Sequence, residues 1–123
     1  MDVRIVVKTR EQMARFIEQI RCEISPLERS DGRRAHWRFA YAIPAAVELE
    51  DPPVLGEPIY ITTRDISVDG LGFVSHYNLR PGQKVLICVD ANGSQLEVPA
   101  TVMHSTISVG MYKVGVEFDF DDS

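Results

Sequence analysis

A chain of 123 residues with 45% hydrophobic and 25% charged residues has room for one modest core and too little for an active site shared between two lobes. Its net charge of −5 is unevenly spread, with nine Lys/Arg against six Asp/Glu in residues 1–38 and four against twelve in residues 39–123; this disfavours a polynucleotide partner, whose affinity grows with the phosphates neutralised, while leaving an arginine cluster able to hold a small anion. No apolar run approaches the roughly 18 residues of a spanning helix, and Met1-Asp2-Val3-Arg4 lacks the apolar centre of a leader, so the chain reads as cytoplasmic with no membrane partner.

Val3 to Val7 is a short apolar segment. Thr9 followed three residues later by Gln12 is a capping box, which predicts a helix starting there. Met13, Phe16, Ile17, Ile20 and Ile24 recur at helical spacing on one face, and Ser25-Pro26 stops the helix. So short a helix is not stable alone, and its face must dock on the following domain or on a second subunit, which leaves a homodimer open. Leu27 to Trp37 is polar and basic without a hydrophobic period and reads as a linker or loop.

Beyond it Phe39, Tyr41, Ile43, Ala45, Val47 and Leu49 alternate with less apolar residues, the period of a strand with one buried face, and Pro44 argues for an edge or a bulge. A loop from Asp51 to Pro58 precedes a β-branched strand from Ile59 to Ile66. Asp69-Gly70, Arg80-Pro81-Gly82 and Asp90-Ala91-Asn92-Gly93 are turn signals separating Leu71–Val74, Val85–Val89 and Leu96–Val102. Met111 to Phe120 supplies a last strand, with Tyr112, Val114, Val116 and Phe118 on one face. Six short strands joined by tight turns predict an antiparallel barrel or sandwich.

Little in this pattern suggests catalysis. Cys22 and Cys88 are distant and form no C-x-x-C pair, so two free thiols are expected, with Cys88 a small core residue. His36, His76 and His104 show no metal-ligand spacing, and no metal site or cofactor is expected. Ser67 has no G-x-S-x-G elbow leading into a helix, which argues against a hydrolase.

Two motifs stand apart. Arg34-Ala35-His36-Trp37-Arg38, preceded by Arg33, is an R-x-x-x-R element where the polar loop meets the first long strand, and Asp65-Ile66-Ser67-Val68-Asp69-Gly70 is a D-x-S-x-x-G element at a strand end. Either is ordinary by itself: arginines decorate loops, and Asp, Ser and Gly build turns. In combination they suit a nucleotide with anionic phosphates and guanine edges. Arginine's planar fork takes phosphate or guanine O6/N7 bidentately and stacks on a purine face. Asp65 can accept from guanine N1 and N2, Ser67 adds an adjustable hydroxyl, and Gly70 lets a ligand approach the turn.

The order of the two motifs, the strand after Arg38, Gly70-Leu71-Gly72-Phe73, and the closing Tyr112-Lys113-Val114-Gly115-Val116-Glu117-Phe118 together resemble the PilZ domain family over about residues 28–120. The resemblance implies a mainly β, six-stranded antiparallel PilZ-type barrel over residues 28–123, preceded by a strand and α-helix extension in residues 1–27. It implies a cyclic di-GMP receptor rather than an enzyme, with Arg33, Arg34, Arg38, Asp65, Ser67 and Gly70 as ligand-binding residues. In such proteins an arginine at the position of Arg33 goes with binding a stacked ligand dimer. Ligand binding at the arginine loop would then signal to an unidentified protein effector through the apolar helix. The alternative is a PilZ-like adaptor that binds protein and ignores the nucleotide.

Overall fold

The computed structural model describes residues 3–27, 38–50, 58–91 and 93–121. The expected linker and arginine loop over residues 28–37, with Arg33 and Arg34, and the loop over residues 51–57 lie outside these.

Six strands close into an antiparallel barrel: β4 (Pro44–Leu49), β5 (Ile59–Ile66), β6 (Gly70–Ser75), β7 (Lys84–Ala91), β8 (Ser94–Ser108) and β9 (Met111–Phe118). Around the ring the order is β5, β4, β7, β8, β9, β6, and the β5–β6 pairing closes it. Closure removes the free edges that an open sheet of this size would expose. The remaining strands are annexes. β1 (Val3–Val6) runs parallel to the first part of β8, the two-residue strand β3 (Phe39–Ala40) pairs with the last residues of β5, and β2 (Ser25–Pro26) pairs with β3.

Alternation fills the barrel. Val47, Val85, Ile87, Val98, Val102, Phe73 and Val114 are all essentially inaccessible, and the residues between them face out. Cys88, expected in the core, instead stands on the outward side of β7 between buried Ile87 and Val89 and is half-buried. The expected single strand from Phe39 to Leu49 is broken at Tyr41–Ile43. Thr63 bridges that break: its hydroxyl donates to the Tyr41 carbonyl at 2.5 Å and accepts from the Ile43 amide at 2.8 Å. Pro44, which has no amide proton to offer the ladder, opens the second piece.

The helix α1 (Arg10–Gln19) starts at the expected capping box, with the Gln12 amide donating to Thr9 Oγ1 and the Thr9 amide to Gln12 Oε1. It ends earlier than its apolar spacing suggested. Residues Arg21–Glu23 tighten into a 3-10 turn, because Pro26 forces Ser25 into extended backbone and the pair is drawn into the ladder with β3. The helical face is spent on the barrel: Val7, Met13, Phe16 and Ile20 are buried in the same core cluster as the strand residues. At ten residues the helix is below the length that sustains itself in water, so this burial holds it, and truncating Met13 or Ile20 to Ala costs about 2–5 kcal/mol. Among the described residues, no helix is long and apolar enough to cross a membrane.

Candidate functional site

Arg38 sits immediately before β3, whose Phe39 and Ala40 pair with Ile66 and Asp65 of β5. The Leu27 amide donates to the Arg38 carbonyl at 2.9 Å, fixing the backbone from the other side. This delivers the guanidinium onto Asp65: Arg38 Nη2 donates to Asp65 Oδ1, while Arg64 Nη2 stands 3.9 Å from the other carboxylate oxygen. Asp65 is only 6% exposed, and a carboxylate so far from water depends on its ion partner. It also depends on Gly72, because a Cβ there would lie 2.9 Å from both carboxylate oxygens.

The turn after β5 is built by Ser67. Its Oγ accepts from the amides of Asp69 and Gly70 at 3.1 and 3.2 Å, and its own amide donates to the Gly70 carbonyl at 2.9 Å. Ser67 therefore does what serine commonly does in turns, and its single hydroxyl proton remains for a second partner. The Phe118 amide donates to the Asp69 carbonyl at 2.8 Å, seating the turn on β9. Gly70 is required for that seating, since a Cβ would lie 2.2 Å from the Val116 carbonyl oxygen. The turn is also tied to the helix by an ion pair between Arg10 Nη1 and Asp69 Oδ1.

Arg38, Ser67, Asp69 and Gly70 line a cleft of about 220 Å³ together with Met103, His104, Gly115 and Glu117. Three residues expected from the two motifs, Arg38, Ser67 and Gly70, thus share one cavity. Asp65 stands behind Arg38 rather than on the cavity wall, which makes it the residue that orients the arginine. Met103 and His104 carried no motif in the sequence, while Gly115 lies in the closing segment Tyr112 to Phe118 and was not singled out as a site residue.

Among the described residues no group of three His, Cys, Asp or Glu is placed to hold a metal ion. Burial, and then the carboxylates of Glu48 and Glu97, push the Cys88 thiol up to about 11, the opposite of what a reactive thiolate needs.

Comparison with known proteins adds three findings. A family model described as the PilZ domain matches residues 32–123. No curated protein matches the chain. Among solved structures, the PilZ domain of CeSA from a cellulose-synthesizing bacterium superposes with a TM-score of 0.54 at 21% identity, over 68% of this chain and 81% of that one. At that identity the likeness bears on the fold, and the closed six-stranded barrel agrees with it.

Proposed function

The chain belongs to the PilZ family, a family of regulatory cyclic di-GMP receptors rather than enzymes, and from that membership we propose that it is a cyclic di-GMP receptor which passes the binding event to a protein partner by contact. One observation carries this reading: the arginine of one motif and the serine and glycine of the other line a single cleft although 29 or more positions separate them in sequence.

In this reading Asp65 holds the Arg38 fork in place, so that its remaining N–H groups meet a phosphate or the O6/N7 edge of guanine with less side-chain entropy to lose. Ser67 donates its hydroxyl proton to the same ligand, and Gly70 keeps the turn low enough for close approach. Arg33 and Arg34 complete the cationic side, and Arg33 favours two stacked ligand molecules per chain. The signal leaves through the Asp69 turn, which the ligand touches on one side and Arg10 of α1 grips on the other.

Isothermal titration with cyclic di-GMP, using cyclic di-AMP and GTP as controls, tests the reading. Saturable heat with cyclic di-GMP alone, abolished in a folded Arg38→Ala variant, is the expected result, with a stoichiometry that falls from two to one in Arg33→Leu. Absence of heat with every nucleotide would reject the receptor and favour a protein-binding adaptor of the same fold.

A further inference from the structure

The barrel strands are paired on both sides, whereas β1, among the described residues, pairs with β8 alone. Val7, the residue after β1, donates its amide to the Glu97 carbonyl at 2.8 Å. Backbone groups alternate in direction along a strand, so those of Ile5 also face β8 and those of Arg4 and Val6 face away from it. Beyond Val6 the edge is closed. The Lys8 amide donates to Gln12 Oε1 at 2.7 Å, and the Lys8 carbonyl accepts from the Asp121 amide at 2.8 Å. The open edge thus consists of the N–H and C=O groups of Arg4 and Val6.

The side chains are those of a strand awaiting cover. Ile5 and Val6 point to opposite faces and are 38% and 40% exposed. Apolar residues on both faces of an open edge are what a strand meant to stay single avoids, because such an edge recruits another strand. Arg4 lies on the Val6 face and is ion-paired with Glu97; its side chain is largely exposed, whereas that of Glu97 is buried.

We infer that β1 pairs antiparallel with β1 of a second copy of this chain, about a twofold axis through Ile5. The direction of the backbone groups requires Arg4 and Val6 to meet Arg4 or Val6 of the other copy, which leaves three registers. Centred on Arg4, the pairing sets Arg4 against itself; centred on Val6, it sets Arg4 against Lys8; both place like charges directly opposite. Centred on Ile5, it sets Arg4 against Val6 in both halves, and the open groups of each copy satisfy those of the other. The interface is then isologous, as a closed dimer requires. Charge favours the same register, because β1 residue Val6 is level with Glu97, so Arg4 lies in one row and on one face with Glu97 of the second copy, one strand beyond Val6. Ile5 meets Ile5 across the axis. An interface this short gives a weak dimer, with a Kd of about 10–100 µM.

Sedimentation of the full chain from about 5 to 500 µM tests this, a range set by that expected Kd. The weight-average mass should climb toward twice the chain mass in wild type and stay at one chain mass in Ile5→Lys, which puts like charges on the axis, and in Val6→Pro, which removes an outward amide without touching the β8 ladder. Both positions are partly exposed, and an unchanged thermal midpoint confirms that each variant is folded; Ile5→Lys decides alone if Val6→Pro is not. Cross-linking reads the register. In a Cys22→Ser background, since Cys22 is exposed, Ile5→Cys brings two Cα atoms to about 4.5 Å, within disulfide reach. It should therefore form disulfide dimers at least about tenfold faster than Val6→Cys, whose thiols stand two positions apart along the strands. A wild-type chain that stays monomeric throughout, a dimer indifferent to Ile5→Lys, or equal cross-linking at positions 5 and 6 would each overturn the pairing.

Discussion

Arg10, the first residue of α1, is ion-paired with Asp69 in the turn between β5 and β6. The pair joins the extension that precedes the family domain to the motif that lines the cleft. Both side chains are partly exposed, so the pair contributes little to stability, on the order of 0.2–1 kcal/mol. If the proposed receptor reading holds, a ligand that shifted Asp69 would pull on the first residue of the helix, whose Met13 and Phe16 are buried in the core.

Hydrogen exchange over residues 10–20 should therefore change when cyclic di-GMP is added to the wild-type chain. In Arg10→Gln the ligand should still bind within a few-fold of wild type, but the helix response should be lost. An identical response in the variant would place the coupling elsewhere.

The turn that joins β8 to β9 offers a cleaner energetic experiment. Val109 has φ of 49° and is followed by Gly110 at 77°, the two positive values that a tight two-residue hairpin turn demands and that a β-branched residue resists. Val109 is fully exposed, so no packing offsets the strain. Val109→Asn should raise the unfolding free energy by about 1 kcal/mol in a denaturant titration with an unchanged slope. No gain would mean that the backbone relaxes there at negligible cost.

That hairpin also marks where the sequence stops being legible. Leu96, Val98, Ala100 and Val102 announce themselves by alternation because one face of β8 is inside the barrel. Past the register shift between Val102 and His104 the strand runs on to Ser108 with His104, Thr106 and Ile107 all exposed, and burial no longer imposes a period. Val109-Gly110 also lacks the Asn or Asp that flags such a turn. The motif half of the cleft, Arg38, Ser67 and Gly70 with Asp65 behind them, was readable because these residues lie in two local patterns. The Met103 and His104 side was not, because it meets the motifs only through the register of the strand pairs. Cys88 is a different case: Val85, Ile87 and Val89 already place it on the outward parity.

Tyr41 and Cys88 should share the alkaline limb of stability, Tyr41 acting at the higher pH. Its hydroxyl is buried without a hydrogen-bond partner among the described residues, and burial, assisted by the charge of Glu23, pushes it up to about 12 from 10.0. Between those values the unfolded chain releases a proton that the folded chain keeps. The contribution is thus complete below pH 10 and is lost as pH rises to about 12, amounting to about 2–3 kcal/mol. Tyr41→Phe should be at least as stable as wild type at pH 7, because the orphan hydroxyl goes with its proton. Its unfolding midpoint should also fall less between pH 10 and 12, the remainder coming from Cys88. A wild-type-like alkaline decline in Tyr41→Phe would show that the hydroxyl is hydrated in the folded state.

The Arg38–Asp65 pair should show asymmetric costs when its members are removed singly. The Arg38 side chain is 25% exposed and that of Asp65 8%, so an arginine left alone can turn to water, whereas the carboxylate without Arg38 stays pressed on Gly72 with the Arg64 guanidinium 3.9 Å away. Arg38→Ala should accordingly destabilise the fold by about 3 kcal/mol, near the lower end for breaking a buried pair, and Asp65→Ala by about 1 kcal/mol. The double variant should cost about 1.5 kcal/mol, recovering half of the Arg38→Ala loss and giving a coupling energy of about 2–3 kcal/mol in a double-mutant cycle read by chemical unfolding. The same cycle separates folding from recognition, because a ligand contact made by Arg38 predicts that the double variant regains stability without regaining cyclic di-GMP binding. Equal costs for the two single variants would mean that Asp65 reaches solvent once its partner is gone, and that its orienting role rests on the ion pair alone.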